Sequence, residues 1–396
     1  MTDRVIDLLD PETHADNPWS LYEWMREEAP LYFDSENGVW CVSRYDDIIR
    51  VARDPKTFTS VEGNRPNLPY DGSFIHLDGK GHHERRNLLK ERFGPTGIKR
   101  IEGHIRDVCV ELIEKVLDQG QCEFIEDIAA PLPTQIIAEM TGVPKDQHDT
   151  VRHHLDIFCK GGNGPKHVTD EVNTAFYAWA EIHFNQVMER MVEPKDDVLS
   201  LWIQSTDLKH APFDEENLLF EHTMLMVGGS ETTRNAISGG LYELIQHPEQ
   251  LAWLQNNPEG IPNAVEEMLR WSTPFVSMSR TATKDVEWYG QTIKEGQEIM
   301  MLYPAGNRDP SKFTDPYTFD IHRKFTSQSL SFGYGPHFCL GARLARAEAR
   351  ILLGEMFARM DNLHITAEPE LSRSSFIRGI KTMGLGFSRR QRMASK

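Results

Sequence analysis

The strongest constraint in this sequence is one uninterrupted helical pattern. It runs from about Asp214, a plausible N-cap, to His247, where Pro248 stops it. At about 1.5 Å per residue such a helix spans roughly 50 Å, the width of a whole domain, so it belongs at the centre with the rest of the chain packed around it. Its middle reads Val227-Gly228-Gly229-Ser230-Glu231-Thr232-Thr233. Two glycines inside a helix cost about 1 kcal/mol each relative to alanine, so something must offset them. One reading is close packing of a second helix against them. The other is a groove that admits a flat ligand, with Thr232 bonding back to the Gly228 carbonyl and leaving an acid and an alcohol beside the opening.

The remaining periodicity is also helical, at Trp19–Glu28, Asp46–Arg53, Lys80–Arg92, Arg100–Leu117, Pro133–Met140 and Thr174–Met191. Strand patterns are fewer: Gly38–Ser43, Asp285–Tyr289 and Glu298–Tyr303, with turns at Gly290 and Gly296. Asp361–Lys396 reads as short strands and turns ending in a basic, mobile tail. The fold class is therefore mainly α with a small β region. With 39% hydrophobic residues and no Pro/Gly/Ser linker, residues 1–396 are expected to form one domain. The formal net charge of −17 opposes nucleic acids and anionic membranes as partners. The N-terminus has no secretory apolar region and no stretch is apolar enough to span a bilayer, which predicts a cytoplasmic protein. The five cysteines include no C-x-x-C pair and fit free thiols.

One of those thiols is set apart by its surroundings. Phe332-Gly333-Tyr334-Gly335-Pro336-His337-Phe338-Cys339-Leu340-Gly341 precedes a strongly helical run, Ala342–Met356. Cys339 thus stands at a helix N-terminus, where free N–H groups and the helix dipole favour the thiolate that ligates metals. Gly333 and Gly335 permit a tight turn, Phe332 can shield the sulfur, and Gly341 lets backbone approach a planar group. A zinc site would need more ligands than the neighbouring His337 offers. The segment from Gly228 fails as a nucleophile elbow, because Thr232 replaces the closing glycine and a helix precedes it. His82-His83-Glu84 fails as a zincin motif, because Asn87 stands where the second histidine belongs.

The ten residues match F-x-x-G-x-x-x-C-x-G through Phe332, Gly335, Cys339 and Gly341, and the long helix matches [AG]-G-x-[DE]-T-[TS] through Gly228, Gly229, Glu231, Thr232 and Thr233. On these motifs the chain resembles the cytochrome P-450 superfamily, from Asn17-Pro18-Trp19 to its final strands. The resemblance implies haem b, with Cys339 as the metal ligand, lying between the long helix at Gly228 and the Cys-ligand loop at Phe332 and Gly341. It assigns Thr232 and Glu231 to catalysis as a proton relay. It carries propionate binding onto His82, Arg86, Arg280 and His337. The family's E-x-x-R motif appears as Glu267-Met268-Leu269-Arg270, joined by Arg323, as support for the ligand loop.

The same resemblance lines the substrate pocket with Met224, Val227, Phe275, Val276, Phe376, Ile377 and the loop from Val61 to Ile75. Most of these are apolar, so the substrate is expected to be hydrophobic. The wording around Gly228–Arg234 and Glu266–Trp271 is closest to bacterial steroid side-chain hydroxylases, then to soluble terpene hydroxylases. The expected activity is monooxygenation of a steroid or sterol side chain, with electrons passing from NAD(P)H through a ferredoxin reductase and a ferredoxin. A basic face of Arg343, Arg346 and Arg350, extended by Arg85, Lys90 and Arg92, is expected to dock that acidic carrier. The alternatives are a terpene hydroxylase, a peroxide-driven haem-thiolate enzyme and a non-catalytic haem-binding sensor.

Overall fold

The structure, a computed structural model, describes residues 5–205 and 208–391. The tail expected to end in a basic segment extends to residues 392–396, outside the described residues. The N-terminal part contains α1 (Trp19–Glu28), the hairpin β1 (Leu31–Asp34) and β2 (Val39–Val42), α2 (Tyr45–Arg53) and the short β3 (Phe58–Thr59). Then come α3 (Gly79–Leu88), α4 (Lys90–Phe93), α5 (Pro95–Leu117), β4 (Gln121–Glu123), α6 (Pro131–Thr141), α7 (His148–Lys160), α8 (Asp170–Val192) and α9 (Val198–Gln204). The long helix α10 (Glu215–Gln246) is followed by α11 (Pro248–Asn256) and α12 (Ile261–Ser272). After it stand β5 (Ser277–Ala282), β6 (Val286–Trp288), β7 (Gln291–Ile293), β8 (Glu298–Leu302) and the single turn α13 (Tyr303–Gly306). The chain closes with α14 (Ala342–Arg359), β9 (Met360–Ser372) and β10 (Gly379–Arg389).

Helix α10 begins as its sequence dictates: the Asp214 side chain accepts the Asn217 N–H at 2.7 Å. Residues from α5, α6, α7, α12 and α14 join it in one core cluster, among them Leu112, Ile137, Leu155, Met268 and Leu352. The two readings of its glycines prove to apply to different residues. A Cβ on Gly229 would lie 2.6 Å from Ile137 of α6, whereas one on Gly228 would meet nothing within 4 Å. Close helix packing explains the first, and an open helix face explains the second.

The five-stranded sheet has the order β1-β2-β8-β5-β3, with β2 and β8 parallel and the other pairs antiparallel. Strand β8 is buried on both faces: Ile299 and Met301 pack on the α2 side, Met300 and Leu302 on the α1 side. The expected 285–289 strand is real and forms a hairpin with β7 through Tyr289 and Gly290, both at positive φ. Three expectations change. The helix over Lys80–Arg92 breaks at Leu89, where a tighter i to i+3 bond closes the turn onto Arg86. The C-terminal region holds two long strands rather than short ones; repeated register shifts between β9 and β10 blur the alternation that would have marked them. Strand β5, SMSRTA, is almost wholly buried despite its polar lettering: Ser277 accepts from Arg65 and Arg280 donates to the Ser279 carbonyl, while the Ser279 and Thr281 hydroxyls are buried without a partner.

The chain from Asn307 to Arg323, leading toward the Cys339 loop, is pinned by Glu267. Arg270 grips its carboxylate twice, both bonds at 2.7 Å, and Arg323 adds a third at 2.9 Å. The Asp320 N–H donates to the same carboxylate at 2.9 Å. Arg270 then reaches the carbonyls of Asn307 and Pro316, and Arg323 those of Thr314 and Thr318. Glu267 and Arg270 have 0% exposed side chains and Arg323 7%, so this triad sits out of water. Glu267→Gln should leave two buried guanidinium groups without a counter-charge and destabilise the chain by about 3–5 kcal/mol. Urea unfolding of wild type and variant measures it; a change below about 1 kcal/mol would show that the carbonyl bonds alone hold this segment.

Candidate functional site

The Cys339 loop is shaped by its own backbone. Gly333 and Gly335 take φ of +66° and +74°, and the Cys339 N–H donates to the Phe332 carbonyl at 2.9 Å. Gly341 caps α14, and a Cβ there would stand 3.9 Å from the Cys339 sulfur. Phe332 packs edge-on to Phe338 at 6.2 Å, and the Arg346 guanidinium lies over the Phe332 ring at 4.5 Å. Burial pushes the Cys339 thiol up, and the N–H groups of Gly341 and Ala342 with the charges of Arg86 and Arg346 only partly pull it back. The expectation that a helix start alone favours the thiolate therefore meets a stronger opposing force. A cation at the sulfur is what would tip the balance, since a coordinated thiol ionises outright.

Helix α3 presents His82 and Arg86 one turn apart, and the loop brings His337 against them, its ring 4.3 Å from that of His82. His337 Nε2 lies 3.1 Å from Ser60 Oγ and 3.3 Å from Asp78 Oδ1. Burial lowers the pKa of His337, with the Asp78 bond opposing it. Burial takes His82 down to about 3, and the positive neighbours His337 and Arg86 add to the effect. Arg86 donates to the Phe338 carbonyl and Arg280 to the Ser279 carbonyl, so neither guanidinium is matched to a carboxylate among the described residues. Both ring nitrogens of His82 and Nδ1 of His337 are buried without a protein partner. This group of donors with surplus positive charge suits the two carboxylates of a haem, Cys339 suits its iron, and the bare face of Gly228 suits its flat surface.

On α10 the Thr232 hydroxyl donates to the Gly228 carbonyl at 2.7 Å, the back-bond read from the four-residue spacing. Glu231 turns elsewhere: its carboxylate accepts from Arg234 and, at 3.2 Å, from Asn235. Arg234 continues to Asp156 of α7 at 3.1 Å. Burial pushes the Glu231 carboxyl up, while Arg234 pulls it down. Arg234 sits three residues from Glu231 and was open to discovery as a helical pair; Asp156 carries no local signal, because only the docking of α7 brings it there.

The expected pocket residues separate. Met224 and Val227 stand on α10 beside the main core, and Phe275 packs against Phe376 at 5.2 Å, next to the bridge that pairs Phe275 with Ile377. Val276 instead packs with Leu21, Met300 and Leu302 on the far side of the sheet. A residue not anticipated, Arg65, joins the elements above Phe376. Its guanidinium lies 4.5 Å from that ring and donates to the carbonyls of Gly162, Ser277 and Ser375. Asn163 bonds Ser374 and Ser375 alongside. The 61–75 loop, the 161–169 connection and the 374–378 turn are thereby fastened together.

The basic face also changes. Arg85 is buried against Glu221 at 3.0 Å, with further bonds to three backbone carbonyls, so it leaves the surface. Arg346 pairs with Glu266 and Arg350 with Glu102, whereas Lys90 and Arg343 are exposed.

A family model described as Cytochrome P450 matches residues 166–261 and 261–381. Among curated relatives, a steroid C26-monooxygenase of Mycobacterium tuberculosis is 32% identical over 391 residues, covering 97% of each chain. A methyl-branched lipid omega-hydroxylase of Mycobacterium bovis is 34% identical, covering 92% of this chain and 90% of that one. Among solved structures, CYP109E1 from Bacillus megaterium in complex with testosterone superposes with a TM-score of 0.86 at 30% identity, covering 93% of this chain and 97% of that one.

Asp78 anchors the His337 side of the site. Burial works against its charge, yet bonds from His337, Thr59 and the Ser60 N–H hold its pKa down to about 2. Its folded value lies below its unfolded one, so the stabilisation is present above roughly pH 4 and is lost as pH falls toward roughly 2. Asp78→Asn should remove about 1 kcal/mol at pH 7 after solvent screening, and should flatten the acid limb of stability over that window. Urea unfolding at pH 7 and along an acid series checks both; an unchanged acid limb would remove Asp78 from this role.

Proposed function

The chain belongs to the cytochrome P450 family, a monooxygenase with haem b as its cofactor and a hydrophobic substrate, and we propose that this substrate is a steroid or sterol hydroxylated on its side chain. What supports the reading is the apolar set Met224, Val227, Phe275, Phe376 and Ile377 in the core shared with α10, in a chain similar along 97% of its length to a steroid C26-monooxygenase. Few polar groups in that wall can fix a substrate's orientation, so shape has to do it. Bound through Cys339, the haem supplies dioxygen activation and the oxidising power for a C–H bond. His82, Arg86, Arg280 and His337 hold its carboxylates, and Phe332 keeps water from the sulfur.

The protons consumed with each dioxygen are the task of α10. Thr232 presents a hydroxyl beside the open face while its own proton rests on the Gly228 carbonyl. Glu231, raised by burial toward the working pH, is the group on this helix that takes up and releases protons, while the permanently charged Arg234, held between it and Asp156, orients its carboxylate. Thr232→Ala should lower product per NAD(P)H consumed by about tenfold or more, with the lost electrons recovered as hydrogen peroxide or water. Measuring product, NAD(P)H and peroxide together decides it; wild-type coupling would remove Thr232 from the relay.

Electrons are proposed to arrive from a ferredoxin and its reductase, docking where Lys90 and Arg343 stand exposed near the thiolate side. A branched lipid chain is the second substrate reading, favoured by the similarity to the methyl-branched lipid omega-hydroxylase. Titrating the purified haem protein with a sterol ketone, a methyl-branched fatty acid and a monoterpene alcohol separates these. We expect a low-spin to high-spin Soret shift at the lowest concentration with the sterol ketone. A shift confined to the fatty acid or the terpene would replace the steroid reading.

A further inference from the structure

Helix α8 carries an apolar stripe on its solvent side. Tyr177, Phe184, Met188 and Met191 are 71%, 40%, 63% and 63% exposed, although their spacing is that of a buried helix seam. The opposite face, with Val172, Trp179 and His183, is the one packed into the protein. Isolated exposed hydrophobics need no explanation, but four in register along one helix mark a contact surface.

Three of the four stripe residues are symmetric in sequence about Phe184, and the counterpart of Met188 is the buried Ala180. Tyr177 precedes Phe184 by the same seven residues by which Met191 follows it. Two copies of α8 packed antiparallel about a two-fold axis at Phe184 would set Phe184 against Phe184 and Tyr177 of one copy against Met191 of the other, an isologous contact. A lipid surface fits poorly, because Glu181, Glu189 and Glu193 line this helix and the chain carries −17 overall. The four side chains turn on the order of 400–500 Å² outward. A pair would bury on the order of 1,000 Å², the lower limit for a specific interface, so association belongs in the micromolar range.

We propose that this protein forms a two-fold dimer through α8, centred on Phe184. Sedimentation velocity of the haem-loaded full chain from about 1 to 100 µM should show a monomer converting to a dimer. Met188→Glu should abolish the dimer while retaining the reduced carbon monoxide spectrum of wild type. Phe184→Cys should cross-link to itself under mild oxidation, at least about tenfold faster than Lys294→Cys, an exposed control far from the stripe in the hairpin region. Equal cross-linking rates, a monomer throughout the range, or a dimer that survives Met188→Glu would each overturn the proposal. So would wild type that stays monomeric and floats with phosphatidylcholine vesicles, which would assign the stripe to a bilayer.

Discussion

The arrangement depends on one buried carboxylate. Glu267 serves two guanidinium groups and a main-chain N–H, and those guanidinium groups in turn satisfy carbonyls along residues 307–318. A buried ion triad is a poor source of net stability compared with apolar packing. Its contribution is direction: carbonyls of an irregular segment have no ladder partners, and forked donors with fixed geometry give that segment a single conformation. Asn307 extends the arrangement by binding Ser331 and the Leu330 N–H, one step before Phe332 and the turn that presents Cys339. The position of the sulfur is thus inherited from a helix that never touches it.

Against that fixed loop stands α10, whose adjacent glycines divide the work. Gly229 lets α6 press close, and Gly228 keeps the opposite side bare. A larger residue at the first would push the helix away from its neighbour, and at the second would occupy open space. The same turn also loosens its backbone bonding through Thr232, whose hydroxyl competes for the Gly228 carbonyl. Close helix packing, an open face and a hydroxyl back-bond are therefore set within five consecutive residues.

What could be read from the sequence follows from where the constraint lies. Cys339 and its glycines, the span of α10 and the Thr232 back-bond were legible because each is a short-range requirement at fixed spacing. Helix α7 was not, since Val151, Leu155 and Cys159 form a seam broken by histidines and charges. Strand β5 hid behind polar letters, of which Ser277 finds its partner in the distant Arg65, and Val276, just before the strand, packs on the α1 side. Arg65, Asp156 and the burial of Arg85 were illegible for a common reason: each is defined by carbonyls or charges more than 70 residues away. Motif spacing identifies the chemistry, and only packing identifies what surrounds it.

The fastening above the pocket has a bearing on how such a protein can change. Arg65 addresses Gly162, Ser277 and Ser375 through their main-chain carbonyls, groups that every amino acid supplies. Side chains on the 61–75 and 161–169 segments can be exchanged without rewriting the closure, provided the backbone keeps its path. The side chains of these segments can therefore change by drift while the fastening of their backbones stays the same.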